Sequence, residues 1–212
     1  MLKIKKFTVN PLQENTYLLF DQTKEAIIVD AGFYYREEEE EVARFIQQND
    51  LKLKKLINTH CHFDHLMGVE SLRQKYNINF EAHLDEAPLI GMAVAQASLF
   101  GFEMQPVAPA DDFLVGNEYV EFGETKLKII HVPGHSPGHI VLFAEKEKKL
   151  FAGDVLFYGS IGRTDLPGGD YNTLISRIKS ELFVLPGDTS VFCGHGPETT
   201  IGYEKAHNPF LS

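Results

Sequence analysis

The fold is decided by one stretch of the chain, Thr59-His60-Cys61-His62-Phe63-Asp64-His65. It follows an apolar segment that ends at Ile57 and has the pattern of a strand. Residues two apart in an extended segment point to the same side, so His60 and His62 can converge on one metal ion. Asp64 and His65 follow where the chain turns toward a helix, and they could occupy a second position beside the first. Imidazole nitrogens and carboxylate oxygens suit zinc, and so many ligand types within six positions indicate a metal site.

Three later segments contain further residues that can bind a metal, and each segment directly follows a predicted strand. His135 lies in the Gly- and Pro-punctuated stretch His131-Val132-Pro133-Gly134-His135-Ser136-Pro137-Gly138-His139, which favours a tight loop. Asp154 ends the segment Phe151-Ala152-Gly153-Asp154, and His195 lies between two glycines in Cys193-Gly194-His195-Gly196. His131 and His139 flank the first of these loops and are more typical of supporting residues than of ligands.

Taken in chain order, these motifs resemble the five motifs of the metallo-β-lactamase superfamily. Asp30, after the strand residues Ile27-Ile28-Val29, resembles the first motif, and residues 60–65 resemble the second. The third, fourth and fifth motifs correspond to His135, Asp154 and His195. The resemblance covers nearly the whole chain. It implies an α/β fold, the four-layer αβ/βα sandwich, with two mixed sheets flanked by helices and metals at one edge, as a single domain over residues 1–212.

The resemblance also implies a dinuclear metal centre. The first ion would be bound by His60, His62 and His135, and the second by Asp64, His65 and His195. Asp154 would bridge both ions, and Asp30 would orient the histidines through hydrogen bonds. We expect two Zn²⁺ per chain, with iron or manganese as alternatives. Asp64 and Asp154 are the predicted catalytic carboxylates, and Asp64 would also handle protons.

Within the superfamily, the chain is most similar to small glyoxalase II-like (hydroxyacylglutathione hydrolase-like) hydrolases. Residues 159–165, 194–200 and 205–210 carry this similarity. Arg163 stands where that group has a lysine, and it is the candidate for binding an anionic substrate. Asp165 and Pro197 stand where glyoxalase II has substrate-binding tyrosines, and its helical C-terminal region, which helps bind glutathione, is not part of the resemblance. A hydrolase is therefore better supported than the use of glutathione.

The implied reaction is attack of a metal-bridging hydroxide on a thioester such as a hydroxyacyl-glutathione. One alternative is a mononuclear iron persulfide dioxygenase, which would use only His60, His135 and Asp154. A lactone or ester hydrolase is a further alternative. A non-catalytic metal-binding protein is disfavoured because all seven ligand types are present. The acyl group and the thiol carrier stay open.

Composition excludes several classes of protein. The net charge of the 212 residues is −10, which disfavours nucleic acid as a partner. The two implied Zn²⁺ would leave the site itself positive, so the expected substrate is a small anionic molecule. No apolar run approaches the roughly 20 residues of a membrane helix. Two cysteines are too few for a disulfide framework. We therefore expect a cytoplasmic protein with reduced thiols, whose oligomeric state the sequence leaves open.

Hydrophobic periodicity predicts the secondary structure. The predicted strands cover residues 2–9, 15–20, 25–29, 53–57, 119–122, 126–131, 140–143, 149–152 and 190–193. The predicted helices cover residues 37–48, 69–76, 85–100, 172–182 and 200–208.

Overall fold

Three partly alternating strands begin the chain and pair as an antiparallel meander. In the computed structural model, which describes residues 1–116 and 118–212, these strands are β1 (Lys3–Val9), β2 (Glu14–Phe20) and β3 (Glu25–Val29). The register of the first pair runs from Lys3 opposite Phe20 to Val9 opposite Glu14. β2 and β3 are almost entirely buried, although the first three residues of β2, Glu14, Asn15 and Thr16, are polar.

The first sheet continues with parallel strands, each reached through a helix. α1 (Arg36–Gln48) leads to β4 (Lys52–Ile57), α2 (Val69–Tyr76) to β5 (Asn79–His83), and α3 (Ala87–Leu99) to β6 (Asp112–Leu114). A parallel pair needs such a crossover, and each connection here supplies one. The strand order is β1-β2-β3-β4-β5-β6. Short 3₁₀ turns at Phe63–His65 and Leu84–Glu86 precede α2 and α3.

Packing of α1 shows why this helix forms. Its buried side chains, Val42 and Ile46, lie four residues apart on one face, while the glutamates of the first turn face the positive end of the helix dipole. The Glu38 carboxylate accepts hydrogen bonds from the backbone amides of Tyr34 and Tyr35 at 2.9 and 3.0 Å. The acidic run of the sequence is thus partly a helix cap.

The second sheet has the order β14-β13-β10-β9-β8-β7. Its strands, in chain order, are β7 (Tyr119–Phe122), β8 (Thr125–His131), β9 (Ile140–Ala144), β10 (Lys149–Gly153), β13 (Ser190–Cys193) and β14 (Thr199–Thr200). The two strands between β10 and β13, β11 (Leu156–Phe157) and β12 (Ser160–Ile161), form a separate ribbon. β10 and β13 are parallel, with α4 (Tyr171–Arg177) and a π-helical turn (Ile178–Leu182) in the connection between them. α5 (Ile201–His207) follows β14.

These elements group into two units, one of residues 1–114 and 121–126 and the other of residues 115–120 and 127–212. Each has its own apolar core, which in the first includes Leu18, Ile28 and Leu56 and in the second Val141 and Leu150. The predicted α/β class with two mixed sheets and flanking helices is confirmed. The single domain over residues 1–212 stays a prediction.

Most predicted elements lie within two residues of the observed ones. The predicted helix 85–100 instead begins with a 3₁₀ turn, and the predicted helix 172–182 changes to π geometry after Arg177. β5 and β6 were not predicted, because they are short, contain polar residues and are stabilised by ladder partners distant in sequence. No helix within residues 1–116 and 118–212 combines the length and hydropathy needed to span a membrane.

Candidate metal centre

In the first unit, the loop after β4 brings four predicted ligands together. His60, His62, Asp64 and His65 are all buried, with at most 8% of any residue exposed. The His60 ring centroid lies 4.9 Å from that of His62 and 4.1 Å from that of His65. Nitrogen and oxygen donors from Asp30, His60 and His65 also lie within 4.8 Å of one another. Because these donor side chains are buried together, any charge on them has to be balanced by a partner such as a metal ion.

Asp30 holds this loop by hydrogen bonds. It follows β3 with a left-handed backbone (φ 54°), which an aspartate tolerates better than most residues. Its two carboxylate oxygens accept hydrogen bonds from the Thr59 backbone amide and the Thr59 hydroxyl, both at 2.7 Å. One of them also lies 3.3 Å from His65 Nδ1. Asp30 is thus placed to orient His65 and the backbone at Thr59.

Glu14 is a further carboxyl group beside the loop that sequence reasoning missed. It is fully buried at the start of β2, where its Oε2 accepts a hydrogen bond from the Thr16 hydroxyl at 2.8 Å. Its Oε1 lies 3.7 Å from His65 Nδ1. Burial raises the pKa of the Glu14 carboxyl well above its usual range, although the nearby His65 lowers it in part. The sequence feature that could have indicated it is a glutamate directly before the predicted strand 15–20.

Side chains from distant elements hold the backbone of the same loop. Glu86 Oε2 accepts a hydrogen bond from the Cys61 amide at 2.7 Å, and Gln96 Oε1 accepts one from the Phe63 amide at 3.1 Å. Asn58 donates from its amide nitrogen to the carbonyls of His60 and His65. Because Cys61 and Phe63 alternate with the histidines, these contacts determine where His60 and His62 point. Burial, with the Glu86 and Asp30 carboxylates, raises the pKa of the Cys61 thiol well above its usual range.

In the second unit, three loops at strand ends bring the other predicted ligands together. His135 lies between β8 and β9, Asp154 follows β10, and His195 follows β13. Asp154 Oδ2 lies 3.7 Å from His135 Nε2 and also 3.7 Å from His195 Nε2. One carboxylate oxygen therefore lies between two imidazole nitrogens, at distances too long for hydrogen bonds. This spacing leaves room for an ion on either side of that oxygen.

His139 and Arg163 support this second group of ligands. His139 Nε2 accepts a hydrogen bond from the Asp154 amide at 3.1 Å, so His139 acts as a supporting residue. The Arg163 carbonyl lies 2.8 Å from His135 Nδ1, which makes Nδ1 the protonated nitrogen of that ring. Gly162 allows this approach, because a Cβ there would lie 2.9 Å from His135 Nδ1 and would overlap the Asp154 carbonyl.

The guanidinium of Arg163 is paired with a neighbouring carboxylate. It forms a two-pronged ion pair with Asp165, with distances of 2.7 and 2.8 Å. This pair lowers the pKa of the Asp165 carboxyl to about 2. About half of the Arg163 side chain is exposed, so an anionic molecule could still contact it.

The chemistry of these donors fits a divalent transition metal. Five imidazoles and two carboxylates are the nitrogen and oxygen ligands that zinc and iron accept. In the second unit a hydrogen bond holds the non-ligating nitrogen of His135, and in the first unit hydrogen bonds hold the backbone of the loop, as in preorganised metal sites. The residues present therefore fit the metal that the sequence predicts.

Comparisons with known proteins agree with this fit. The profile of the Metallo-beta-lactamase superfamily matches residues 9–195. A hydroxyacylglutathione hydrolase GloC of Haemophilus influenzae is 38% identical over 213 residues, covering 100% of this chain and 99% of that protein. The crystal structure of BLEG-1 B3 metallo-beta-lactamase matches with a TM-score of 0.91 and 37% identity, over 99% of this chain and 100% of that one. The structure of TTHA1623 in a di-iron-bound form matches with a TM-score of 0.87 and 35% identity, over 98% and 100%.

A mixed α/β fold with buried histidine and aspartate clusters at strand ends defines a metallo-hydrolase. This chain belongs to the metallo-β-lactamase superfamily. The resemblance inferred from the five motifs is thereby confirmed, as is the fold that it implied.

Proposed function

We propose that this chain is a dinuclear metal-dependent hydrolase of thioesters, in which the seven predicted ligands hold two divalent ions. The observation that carries the proposal is the position of Asp154 Oδ2, 3.7 Å from both His135 Nε2 and His195 Nε2. A carboxylate oxygen so placed suits an oxygen shared by two ions. The activity named for the Haemophilus influenzae relative supports a thioester substrate.

The groups beside Nδ1 support the assignment of the ligating nitrogen in two of the histidines. His65 Nδ1 faces Asp30 and Glu14, and His135 Nδ1 faces the Arg163 carbonyl. Because these partners accept protons, Nδ1 carries the hydrogen and Nε2 is left to ligate. The proposed division keeps His60, His62 and His135 on one ion and Asp64, His65 and His195 on the other, with Asp154 shared.

Divalent ions bound there would supply a Lewis acid for the substrate carbonyl and an activated water at neutral pH. Asp64 Oδ2, 3.8 Å from His65 Nε2, is the carboxylate that we expect to hold a proton during the reaction. The buried loops restrict water around it, which strengthens these electrostatic interactions.

Charge favours an anionic substrate. Two divalent ions outweigh the charge of the two carboxylates that hold them, while the chain as a whole carries −10. Arg163 adds a cation that an anionic group of the substrate would reach in competition with Asp165. Zn²⁺ as the metal and a cytoplasmic location, both predicted from the sequence, are part of the proposal.

Two other activities are alternatives. The di-iron form of TTHA1623 favours testing iron as the metal. The one-iron persulfide dioxygenase, with His60, His135 and Asp154 as ligands, is the alternative that the metal stoichiometry separates. The β-lactamase name of BLEG-1 favours testing β-lactams beside lactones and other esters.

The test combines metal analysis with substrate turnover in the wild type and Asp64→Asn. We expect two metal ions per wild-type chain and hydrolysis of a hydroxyacyl-glutathione thioester. Asp64→Asn keeps the side-chain size but removes the charge, so turnover should fall by about 10²–10⁴-fold, the range for lost acid–base catalysis. A wild type that binds one iron, consumes oxygen with a persulfide and leaves thioesters intact would overturn the proposal. Turnover of β-lactams or lactones alone would overturn the thioester assignment.

A further inference from the structure

The turn between β1 and β2 contacts one end of the loop that carries the ligands of the first unit. We call residues 10–14 the β1–β2 turn and residues 60–65 the ligand loop. The Asn10 side-chain amide donates hydrogen bonds to the carbonyls of Gly32 and Asp64, at 2.9 and 3.1 Å. Asn10 is itself held, because its backbone amide donates to Glu38 Oε1 at 2.7 Å. The amide that binds the Asp64 carbonyl therefore has a fixed position.

Glu14 lies at the other end of the β1–β2 turn and faces His65. Its carboxylate is fully buried, and its Oε2 accepts a hydrogen bond from the Thr16 hydroxyl at 2.8 Å. Its Oε1 makes no hydrogen bond within the described part of the chain and lies 3.7 Å from His65 Nδ1. A buried acceptor without a hydrogen bond is costly, and the His65 imidazole is the donor group that this oxygen faces.

Gly32 shows how closely the β1–β2 turn packs against the ligand loop. A Cβ added at Gly32 would overlap the Glu14 carboxylate and the Asp64 carbonyl oxygen. The Gly32 amide donates to the Thr16 hydroxyl at 3.1 Å, and its carbonyl accepts the hydrogen bond from Asn10. Because there is no spare volume between them, a displacement of the turn would displace this end of the ligand loop as well.

The other end of the ligand loop has a support of its own. Glu86 Oε2 accepts a hydrogen bond from the Cys61 amide at 2.7 Å, next to His60. Asn58 serves both ends, because it donates to the carbonyls of His60 and His65. The β1–β2 turn thus acts on the end that carries Asp64 and His65, and Glu86 acts on the end that carries His60.

We propose that Asn10 and Glu14 are positioning residues for one of the two ions, the one assigned to Asp64 and His65. Asn10 would fix the backbone at Asp64, and Glu14 would fix the ring of His65 from its Nδ1 side. The affinity for this ion then depends on the β1–β2 turn, whereas the affinity for the other ion does not. This inference rests on the proposed function, because it uses the same division of the ligands.

The test is a titration of chelator-treated, ¹⁵N-labelled protein with chelator-buffered Zn²⁺, followed by NMR of the histidine ring nitrogens. A ring nitrogen changes its chemical shift when it binds Zn²⁺, so the two ions are observed separately, and His65→Ala identifies the His65 signals. Glu14→Gln keeps an oxygen for the Thr16 hydroxyl but presents N–H groups to His65 Nδ1. The His65 signal should then need about 10–100-fold more free Zn²⁺ to shift than in the wild type. The signals of His60 and His62 should respond as in the wild type.

Asp21→Asn is the matched control. Asp21 is also a buried carboxylate, hydrogen-bonded to Thr23 and Thr125, and it lies beyond the far end of β2, roughly 20 Å from Glu14 along the strand. Both substitutions turn a buried carboxylate into an amide, but Asp21→Asn should leave the affinity for both ions unchanged. Asn10→Gly is the second variant, because glycine accepts the left-handed backbone at this position (φ 51°). It should weaken the same ion as Glu14→Gln does.

Thermal unfolding of each variant shows whether it is folded, and Asn10→Gly decides alone if Glu14→Gln is not. Wild-type binding of both ions by the two variants would overturn the inference. Equal weakening of both ions would also overturn it, because a general loss of structure is not selective for one ion. A wild type in which the His65 signal never responds to Zn²⁺ would overturn the two-ion site of the proposed function itself. That outcome is distinguishable, because it is seen before any variant is made.

Discussion

At the scale of single residues, His65 shows how the surroundings of an imidazole decide its chemistry. Its Nδ1 faces two carboxyl groups, Asp30 at 3.3 Å and Glu14 at 3.7 Å. Its Nε2 lies 3.8 Å from Asp64 Oδ2. The approach of Asp30 to Nδ1 is the shortest of the three, which favours a proton on Nδ1 and leaves Nε2 for a metal.

Replacing His65 by alanine should remove one ion and leave the other. The first proposed ion keeps His60, His62, His135 and Asp154, whereas the second loses one of its imidazoles. We expect about one metal per chain by elemental analysis, compared with two in the wild type. His207→Ala is the control, because this exposed histidine lies on α5 and stacks on Tyr203. Two tightly bound ions in His65→Ala would contradict the division of ligands.

Glu86 acts on the ligands through the backbone. Glu86→Ala would leave the buried Cys61 amide without the acceptor that it has at 2.7 Å. We expect a loss of about 1–3 kcal/mol in the free energy of unfolding and about 10–100-fold weaker metal binding.

Urea unfolding and metal titration measure these two effects. Glu86→Gln, which keeps an acceptor oxygen, should recover much of both. Asp85→Ala, at an exposed neighbouring position, should change neither. If Glu86→Ala binds metal as the wild type does, Glu86 does not position the loop.

At the scale of elements, the ends of strands do most of the positioning. Asp30, Asp154 and His195 follow strands whose interiors are apolar. The His60–His65 loop follows β4, which ends in the buried pair Leu56 and Ile57. A buried strand has its backbone held by two neighbours, so the first residue beyond it starts from a defined position. Loops carried by such strands hold side chains accurately enough for metal binding.

The loop that carries His135 is also tied to α4. The Asp170 amide donates to the Gly134 carbonyl at 2.8 Å, and the Asp170 side chain caps α4 by accepting from the Thr173 amide at 2.7 Å. The hydrogen bonds from Thr173 lower the pKa of Asp170 below its usual value. A carboxyl group whose pKa is lower in the folded protein stabilises it above the unfolded pKa, and this contribution is lost as the pH falls.

Asp170→Ala should therefore lower the melting temperature near pH 7. The difference from the wild type should shrink as the pH falls below about 4, the range in which Asp170 takes up its proton. Calorimetric melting curves of both proteins between these pH values measure the effect. A difference that does not change with pH would mean that the charge of Asp170 contributes nothing to the cap.

At the scale of the whole molecule, the proposed ligands come from loops spread between residues 60 and 195. An ion that binds only the folded chain stabilises it by mass action. Zn²⁺ added to chelator-treated protein at about 100 times its dissociation constant should add about 2.7 kcal/mol to the free energy of unfolding. Mg²⁺, which prefers oxygen ligands, is the control and should add much less. Equal unfolding curves with and without Zn²⁺ would contradict the predicted centre.

What the sequence predicted by itself is the set of candidate donor side chains, and through the family resemblance the fold that carries them. The spacing of His60, His62 and Asp64 follows from the two-residue repeat of extended chain, and this regularity is local. Apolar runs before Asp30, Asp154 and His195 likewise predict strand ends without any knowledge of neighbours. Family motifs then connected these local features to one fold.

Only the tertiary structure decided which other side chains support the donors. Glu86 lies 25 residues from the Cys61 amide that it binds, Gln96 lies 33 from Phe63, and Asn10 lies 54 from the Asp64 carbonyl. Such hydrogen bonds leave no periodic pattern in a sequence, because each depends on how strands and helices pack. The burial of Glu14 has the same origin: burial is a property of the packed chain, and a residue type alone does not determine it.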